Sequence, residues 1–547
     1  MLEPDVLIIG SGAGGGPMAL SLAKAGYEVL VLEKGARHSR AAYAHDETEV
    51  TRNSFFTPPL EREPHTVVTS QTEQAQLSQL GWIACCVGGG TVHMGAYLYR
   101  FHPDDFRMRS RFGDYEELVD WPYDYAALEP YYCLAEREVG VSGLAGANPF
   151  EGERSSSYPL PPLDAHPFSS LLEGAIRQRG WSPFPTPRAV ASRPYLGRPA
   201  CAYCEVCAGY GCTVGAKGST QEALIPRAEA TGRCRVVPKA MVFEVTSDSD
   251  GLATGCRFRD SNGEVGEVRA PVVCVSCSAV ESARLLLLSA TEKHPRGLGN
   301  GSGLVGRHLQ FHAVSMGEAS IPRSSLPAKV RRSRHPFLGR SMMDHYFLPD
   351  GVSDLAKGGV LRFFLTPERP LLSAERLAFS GESLVWGREL ESQVTARLEN
   401  FLHVGFEVFH DYIPNRGTFV ELDAGVRDCW DLPVARIHLD LPQHHEKCGR
   451  WVMDRAFEVL RDLGAESYRI DSVGGTSSYL VHGTCRAGSD PKTSVLDPWC
   501  RSHEVPNLFV VDGSFMPTSG GASPTLTILA NSFRVADHLI AEGMPGK

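Results

Sequence analysis

The chain runs to 547 residues, 42% of them hydrophobic and 22% charged, with a formal charge of −10 at pH 7. That length supplies two or more domains with cores of their own, and the composition is that of an ordinary globular protein. An acidic balance without a basic stripe argues against nucleic acid as a partner, and no apolar run reaches the roughly eighteen residues of a membrane-crossing helix.

The first expected element is a strand at 5–9, Asp5-Val6-Leu7-Ile8-Ile9, which is short, apolar and β-branched. It runs into Gly10-Ser11-Gly12-Ala13-Gly14-Gly15-Gly16, then a helix over 17–25, then a second strand over 27–32 that ends at Glu33. This is the strand, glycine turn, helix, strand and acid of a dinucleotide-binding unit. Gly10 permits the tight turn, Gly12 admits a pyrophosphate to the backbone, and Gly15 lets the helix pack on the strand, while the helix N-terminus faces the phosphates. Gly10, Gly12, Ala13, Gly14, Gly15, Glu33 and Lys34 are the expected binding residues. Glu33, 23 residues after Gly10, suits ribose hydroxyls and disfavours a 2′-phosphate, which points to FAD or NAD rather than NADP.

Residues 36–80 are polar and irregular, as expected of an excursion that covers the cofactor. A second glycine cluster follows, Val87-Gly88-Gly89-Gly90-Thr91-Val92-His93-Met94-Gly95-Ala96, where backbone again has to lie close to a ligand. Beyond it come Arg100 with Asp104-Asp105-Phe106, then Asp120-Trp121-Pro122 and Glu129-Pro130-Tyr131-Tyr132. Near the C-terminus stand Pro506-Asn507-Leu508-Phe509-Val510-Val511-Asp512-Gly513-Ser514, Pro517-Thr518, Gly520 and Pro524-Thr525-Leu526-Thr527.

These stretches, in this order and over nearly the whole chain, resemble the glucose–methanol–choline (GMC) flavin oxidoreductases. The likeness is nearest to the large subunits of the gluconate- and glucose-dehydrogenase type. The resemblance implies FAD, held also by Gly88, Gly89, Thr91, His93 and Met94, with Val242 at the adenine and the Cys277 turn against the cofactor. Asp512, Gly513, Pro524 and Thr525 fall at its flavin end. The implied fold is α/β (α+β overall), a Rossmann-like FAD-binding domain with a second, substrate domain on a mostly antiparallel sheet. The expected FAD-binding domain is discontinuous, about 1–150, 213–310 and 471–547, with the substrate domain at about 151–200 and 311–470. Strong turn residues at 247–251 and 261–263 between alternating runs predict a β-meander from 236 to 273. In the substrate domain, strands are expected at 359–365, 393–398 and 401–409, and a long helix at 444–463.

Cys201, Cys204, Cys207 and Cys212, in a cysteine-rich loop at 198–220, have the spacing C-x2-C-x2-C-x4-C. Two-residue gaps let thiolates converge on one centre, and the run is one residue longer than the bacterial ferredoxin spacing. An iron–sulfur cluster, a structural zinc and an unligated loop are all open on spacing alone. The cluster reading is carried forward, as [4Fe–4S] with four ligands or as the [3Fe–4S] type that relatives of the dehydrogenase kind imply.

Alcohol oxidation by a flavin needs a base for the hydroxyl proton while hydride leaves carbon. The family's usual histidine slot, three residues before the glycine of Gly483-Thr484-Cys485-Arg486, holds Leu480, and its partner slot before Pro524 holds Ser523. Either a small backbone shift makes His482 the base, with Ser523 on the substrate oxygen, or His482 is structural and the base is absent or comes from the substrate domain, where His312, His403 and His410 are candidates. His93 matches in register a pyranose-oxidase histidine that bonds covalently to flavin, so both covalent and packed roles are open for it.

The reading is an FAD-dependent dehydrogenase of a sugar or other alcohol, relaying electrons through an iron–sulfur cluster to a redox partner protein, a small subunit or a cytochrome. The alternatives are an oxygen-using alcohol oxidase with a structural cysteine loop, and a non-redox lyase or scaffold. With the first strand at about residue 5 there is no room for a signal peptide or twin-arginine leader. The expected location is cytoplasmic, or periplasmic by co-export with a signal-bearing partner.

Overall fold

The computed structural model describes residues 3–43, 47–48, 56–69, 74–82, 84–204, 206–366, 369–379, 383–441 and 443–543. In chain order, β1 (Val6–Ile9) leads through the glycine turn into α1 (Gly15–Lys24) and β2 (Val29–Glu33). Two short strands, β3 (His65–Thr69) and β4 (Gln76–Ser78), precede helix α2 (Tyr125–Val139) and β5 (Phe184–Pro185). Then come β6 (Cys234–Pro238), β7 (Met241–Ser247), β8 (Ala253–Arg259), β9 (Val265–Arg269), β10 (Val272–Val275) and α3 (Ala279–Leu288). The next stretch holds β11 (Arg307–Pro322), β12 (Arg340–Met342), β13 (Gly359–Leu365), α4 (Pro370–Ala378), α5 (Gly387–Asn400) and β14 (Phe401–His410). It closes with β15 (Phe419–Arg427), β16 (Pro433–Leu439), α6 (His444–Asp462), β17 (Ser467–Thr484), β18 (Leu508–Val510) and α7 (Thr525–Glu542).

Two sheets position the site. The first has the order β18-β10-β1-β2-β6, and its pairings are parallel. Every residue of β1, β2 and β10 is buried, as a parallel sheet covered on both faces requires of Val, Leu and Ile runs. The C-terminal ends of these strands lie at one edge, so the residues that follow them, Gly10, Glu33, Ser276 and Asp512, converge there. That edge is where open α/β sheets bind ligands. The second sheet, β17-β11-β14-β13-β12-β5, is antiparallel throughout. Helix α6 covers it, burying Val452, Met453, Ala456, Val459 and Leu460 at helical spacing.

The expected meander is realised as β7-β8-β9, residues 241–269, while the ends of the expected range, in β6 and β10, join the parallel sheet; the expected long helix is α6. Three expectations need correction. Residues 393–398 lie inside helix α5, not in a strand. Val394, Ala396 and Leu398 mimic alternation, but Leu390, Val394 and Leu398 also recur at helical spacing among strong helix formers, and Gln393 Nε2 donates to Glu389 Oε1 one turn back at 3.4 Å. The stretch 36–80 is not wholly irregular. Val67 and its neighbours in β3 pair in parallel with β16, and β4 pairs with β3, because a distant strand edge recruits them; 44–46, 49–55 and 70–73 lie outside the described residues. Finally, β17 runs unbroken through 471 and pairs with β11, across several register shifts, from Ser467 opposite Ser320 to Thr484 opposite Arg307, so residues 471–484 belong to the antiparallel sheet. No described helix is long and apolar enough to cross a membrane.

Candidate active site

A cavity of about 1200 Å³ lies between the edge of the parallel sheet and the face of the antiparallel one. Small-molecule sites typically span about 300–1,000 Å³, so there is room for a dinucleotide and a substrate together.

The floor is built by the two glycine clusters, which the fold brings into contact. Gly10 has φ +98°, and a Cβ there would stand 2.1 Å from Ser276 O. At Gly15 a Cβ would stand 2.0 Å from Gly10 O and 3.2 Å from Ile8 Cγ2, whereas at Gly12 it would meet nothing nearer than Gly89 Cα at 3.9 Å. Gly12, Ala13 and Gly14 line the cavity, a Cβ on Gly14 would meet Val511 O and Ser276 Oγ, and Gly15 sits behind them as the packing glycine. Gly88 N donates to Ser11 Oγ at 2.9 Å, and Thr91 Oγ1 donates to Gly88 O at 2.6 Å, which pins the second cluster on the first. Gly89, Thr91, His93 and Met94 face the cavity, and Gly88 does not. Valine in place of Gly15 would push the helix off the strand, and the purified Gly15→Val protein is expected to lose its FAD, read as absence of the visible flavin band.

Glu33 is buried in the wall. Its Oε2 accepts from Ser11 N (3.1 Å) and Ser11 Oγ (2.6 Å), and Oε1 accepts from Gly35 N (2.8 Å). Oε1 keeps a free lone pair for a ribose hydroxyl. Lys34 pairs with Glu63 and lies 4.5 Å over the Trp82 ring. Val242 and Cys277 are in the wall. Asp512 accepts from Ser278 N (3.0 Å) and Ser514 N (2.8 Å), while burial pushes its pKa up. Gly513, Pro524 and Thr525 complete that end. The His93 ring stacks on Phe56 at 5.0 Å and 17°. Backbone opened by glycine, a helix N-terminus and a carboxylate at the end of β2 fit FAD.

The roof comes from the antiparallel sheet. Leu480 and Ser523 line the cavity, and Ser523 Oγ donates to Tyr97 O at 2.8 Å. His482 is fully buried and does not line it. A Cβ on Gly513 would lie 3.6 Å from His482 Cδ2, so the ring sits behind Gly513, which itself lines the cavity. Neither ring nitrogen of His482 has a hydrogen-bond partner among the described residues. His312 lies 5.1 Å away, ring to ring, with Nε2 2.5 Å from Ala522 O. His403 is held by Ser320 and Arg397 O, and His410 by Ser315; neither they nor His312 line the cavity. Also in the roof, and not anticipated, are the cross-strand neighbours Arg362 and Glu407 with Tyr97, Phe409 and Tyr479. Their signal in the sequence was a lone charge inside each apolar strand, a rare and informative placement.

Burial pushes His482 well below its ordinary pKa, with His312 adding to the shift. Burial likewise lowers His312 to about 4, His410 to about 3, His444 to about 4 and His445 well below 6.5. All are neutral in the folded protein at pH 7. Each folded value lies below the unfolded one, so the unfolded chain takes up protons first as pH falls. Stability is full above pH 6.5 and declines as pH drops through the folded values. Each histidine contributes a slope of at most about 1.4 kcal/mol per pH unit, so thermal unfolding at pH 5 is expected many degrees below that at pH 7.

The cysteine loop meets the cavity through Ala208, Gly209, Tyr210 and Gly211, and Gly209 N donates to His93 O at 2.8 Å. Its thiols are turned to other partners. Cys207 Sγ accepts from Arg188 Nη2 at 3.1 Å, Cys204 Sγ is 3.4 Å from Val206 O, and Cys201 Sγ accepts from Tyr203 N at 3.4 Å. Burial raises the Cys207 thiol, but Lys217 and Arg188 outweigh it and hold the pKa below the usual value; burial raises Cys201 to about 11. Among the described residues no group of three or more His, Cys, Asp or Glu side chains is placed to hold a metal ion. The loop as folded does not fit the expected iron–sulfur ligand set Cys201, Cys204, Cys207 and Cys212, because three of the four sulfurs engage separate local partners and no group of three or more of these thiols converges.

A glycine cradle on a parallel sheet, roofed by an antiparallel sheet, defines an FAD-binding enzyme. Family models match accordingly: FAD binding domain over residues 5–45, and GMC oxidoreductase over 164–314 and 414–532. The chain is 31% identical to 2-methyl-1,2-propanediol dehydrogenase of Mycolicibacterium austroafricanum, over 98% of this chain and 95% of that protein. It is also 31% identical to 6'''-hydroxyparomomycin C oxidase of Streptomyces lividus, over 98% and 92%. To the fructose dehydrogenase large subunit of Gluconobacter japonicus it is 25% identical over 98% of each chain. Among solved structures, formate oxidase of Aspergillus oryzae RIB40 superposes with a TM-score of 0.65 at 14% identity, covering 99% of this chain and 98% of that one. The chain belongs to the GMC oxidoreductase family, and is an FAD-dependent oxidoreductase acting on alcohols.

Proposed function

We propose that this protein is an alcohol dehydrogenase that oxidises a CH–OH group at the roof of the cavity and passes the electrons to an acceptor other than oxygen. The observation that carries the site assignment is the meeting of the FAD cradle with a roof bearing Ser523, with His482 directly behind Gly513. FAD, when bound, supplies the hydride acceptor. Ser523 hydrogen-bonds the substrate oxygen. His482, kept neutral by burial and with unengaged ring nitrogens, takes the hydroxyl proton past Gly513. Leu480 packs on the substrate where a histidine customarily stands.

The relationship to the fructose dehydrogenase large subunit supports a partner protein as the electron acceptor, and no step is routed through the cysteine loop. His93, which lines the cavity, would pack against bound FAD without a covalent bond, and acid precipitation is expected to release the yellow colour from the protein. Anaerobic addition of substrate should bleach the flavin band, and dye reduction should outpace peroxide formation in air. Peroxide formed in step with product would instead establish the oxidase reading, for which the similarity to 6'''-hydroxyparomomycin C oxidase speaks. Absence of bleaching with every alcohol would leave a lyase or scaffold.

A further inference from the structure

Arg362 and Glu407 stand directly opposite each other on β13 and β14 and form an ion pair with side chains only 9% and 13% exposed. Both face the cavity. The pair is not explained as a stabilising device, since a desolvated ion pair seldom outperforms well-packed apolar residues of the same volume. Nor is its bonding capacity used up. Only Nη2 of Arg362 and Oε2 of Glu407 engage one another, which leaves Nη1 of the guanidinium and Oε1 of the carboxylate outside the pair. The guanidinium is locked in place, 3.5 Å over the Tyr97 ring, with Phe364 and Phe409 at 5.0 and 5.8 Å. Tyr97 is also the residue whose carbonyl accepts from Ser523, so the pair sits one residue away from the proposed point of oxidation.

We propose that Arg362 and Glu407 are specificity-determining residues that hold a second hydroxyl of the substrate beside the one oxidised, making the substrate a neutral polyol or sugar. This rests on the reading of the cavity as an alcohol-oxidising site. A hydroxyl both donates and accepts, so it can give its proton to the carboxylate and take one from the guanidinium at once. The opposed charges cancel, which favours a neutral ligand over a sugar acid. Tyr97 and Phe409 offer ring faces to the CH side of such a molecule. A mono-alcohol of equal length would leave two desolvated charged groups without that partner, a strong basis for discrimination.

The test uses holoenzyme with an artificial dye acceptor and four probes: 1-propanol, 1,2-propanediol, glycerol and glucose. Wild type is expected to favour the best polyhydroxylated probe over 1-propanol by about 10-fold or more in kcat/KM. Glu407→Gln should collapse that preference, raising KM for the polyol by a larger factor than any change on 1-propanol, and Arg362→Lys should fall between. Equal kcat/KM for mono-alcohol and polyols in wild type overturns the proposal. So does a Glu407→Gln protein that retains flavin but loses kcat equally on all probes. If that variant fails to retain flavin, the wild-type ratio and Arg362→Lys decide. Anaerobic bleaching by 1-propanol without discrimination overturns the specificity proposal alone, whereas no bleaching by any probe overturns the alcohol-oxidising reading as well.

Discussion

Replacing His482 with alanine lowers turnover by about 10²–10⁴-fold, the usual contribution of a positioned general base, with FAD still bound. The ring is wholly buried and lies behind Gly513, so its loss leaves the glycine cradle untouched. Two readouts distinguish a base from a packing residue. The visible flavin spectrum of His482→Ala should match wild type, and turnover of His482→Gln, which conserves most of the volume, should be as low as that of alanine. Ser523→Ala, which removes one neutral hydrogen bond to substrate, should lose about 10-fold or less. A His482→Ala protein with near-normal turnover removes the residue from the mechanism and moves attention to groups that line the roof themselves.

Replacing Lys357 with methionine is expected to destabilise the fold by about 3–5 kcal/mol, the penalty for leaving buried charge uncompensated. Lys357, Asp105 and Asp411 have essentially no solvent exposure, and the ammonium pairs with both carboxylates. The network reaches the active-site loop. Ser519 Oγ donates to Asp411 Oδ1 at 2.6 Å, Tyr346 OH donates to Asp105 Oδ2 at 2.5 Å, and that same hydroxyl accepts from Gly521 N at 3.0 Å. Two unpaired carboxylates would push apart the segments that hold Ser523 in the roof. Chemical denaturation should therefore show a lower midpoint for Lys357→Met, and the triple change with Asp105→Asn and Asp411→Asn should recover much of the loss. A midpoint equal to wild type would show that the three groups are not ionised together.

The cofactor half of this protein is legible in linear order because its requirements are local. A buried parallel strand needs an apolar run, the turn after it needs a residue tolerant of positive φ, and the close packing of α1 on β1 needs Gly15; all lie within the first 33 residues. Asp512-Gly513 and Gly88–Thr91 are readable for the same reason, each being a short motif with its own backbone demand. The cysteine spacing was equally visible, yet spacing states only what thiols can do. Arg188 and Lys217, which decide what Cys207 does in the fold, approach it from other segments.

By itself, then, the sequence determined a dinucleotide cradle and the parallel sheet, because the glycines, the apolar runs and the acid at 33 act on neighbours a few residues away, and its further motifs carried the resemblance that implied FAD and the family. The tertiary structure alone decided that His482 lies behind Gly513 rather than in the cavity wall, that β3 pairs with the distant β16, and that Arg362 meets Glu407 in the roof. The physical reason is common to all three. Burial, charge pairing and strand register depend on which distant segments are packed together, and residues 45 apart in sequence become opposed partners only when β13 and β14 pair.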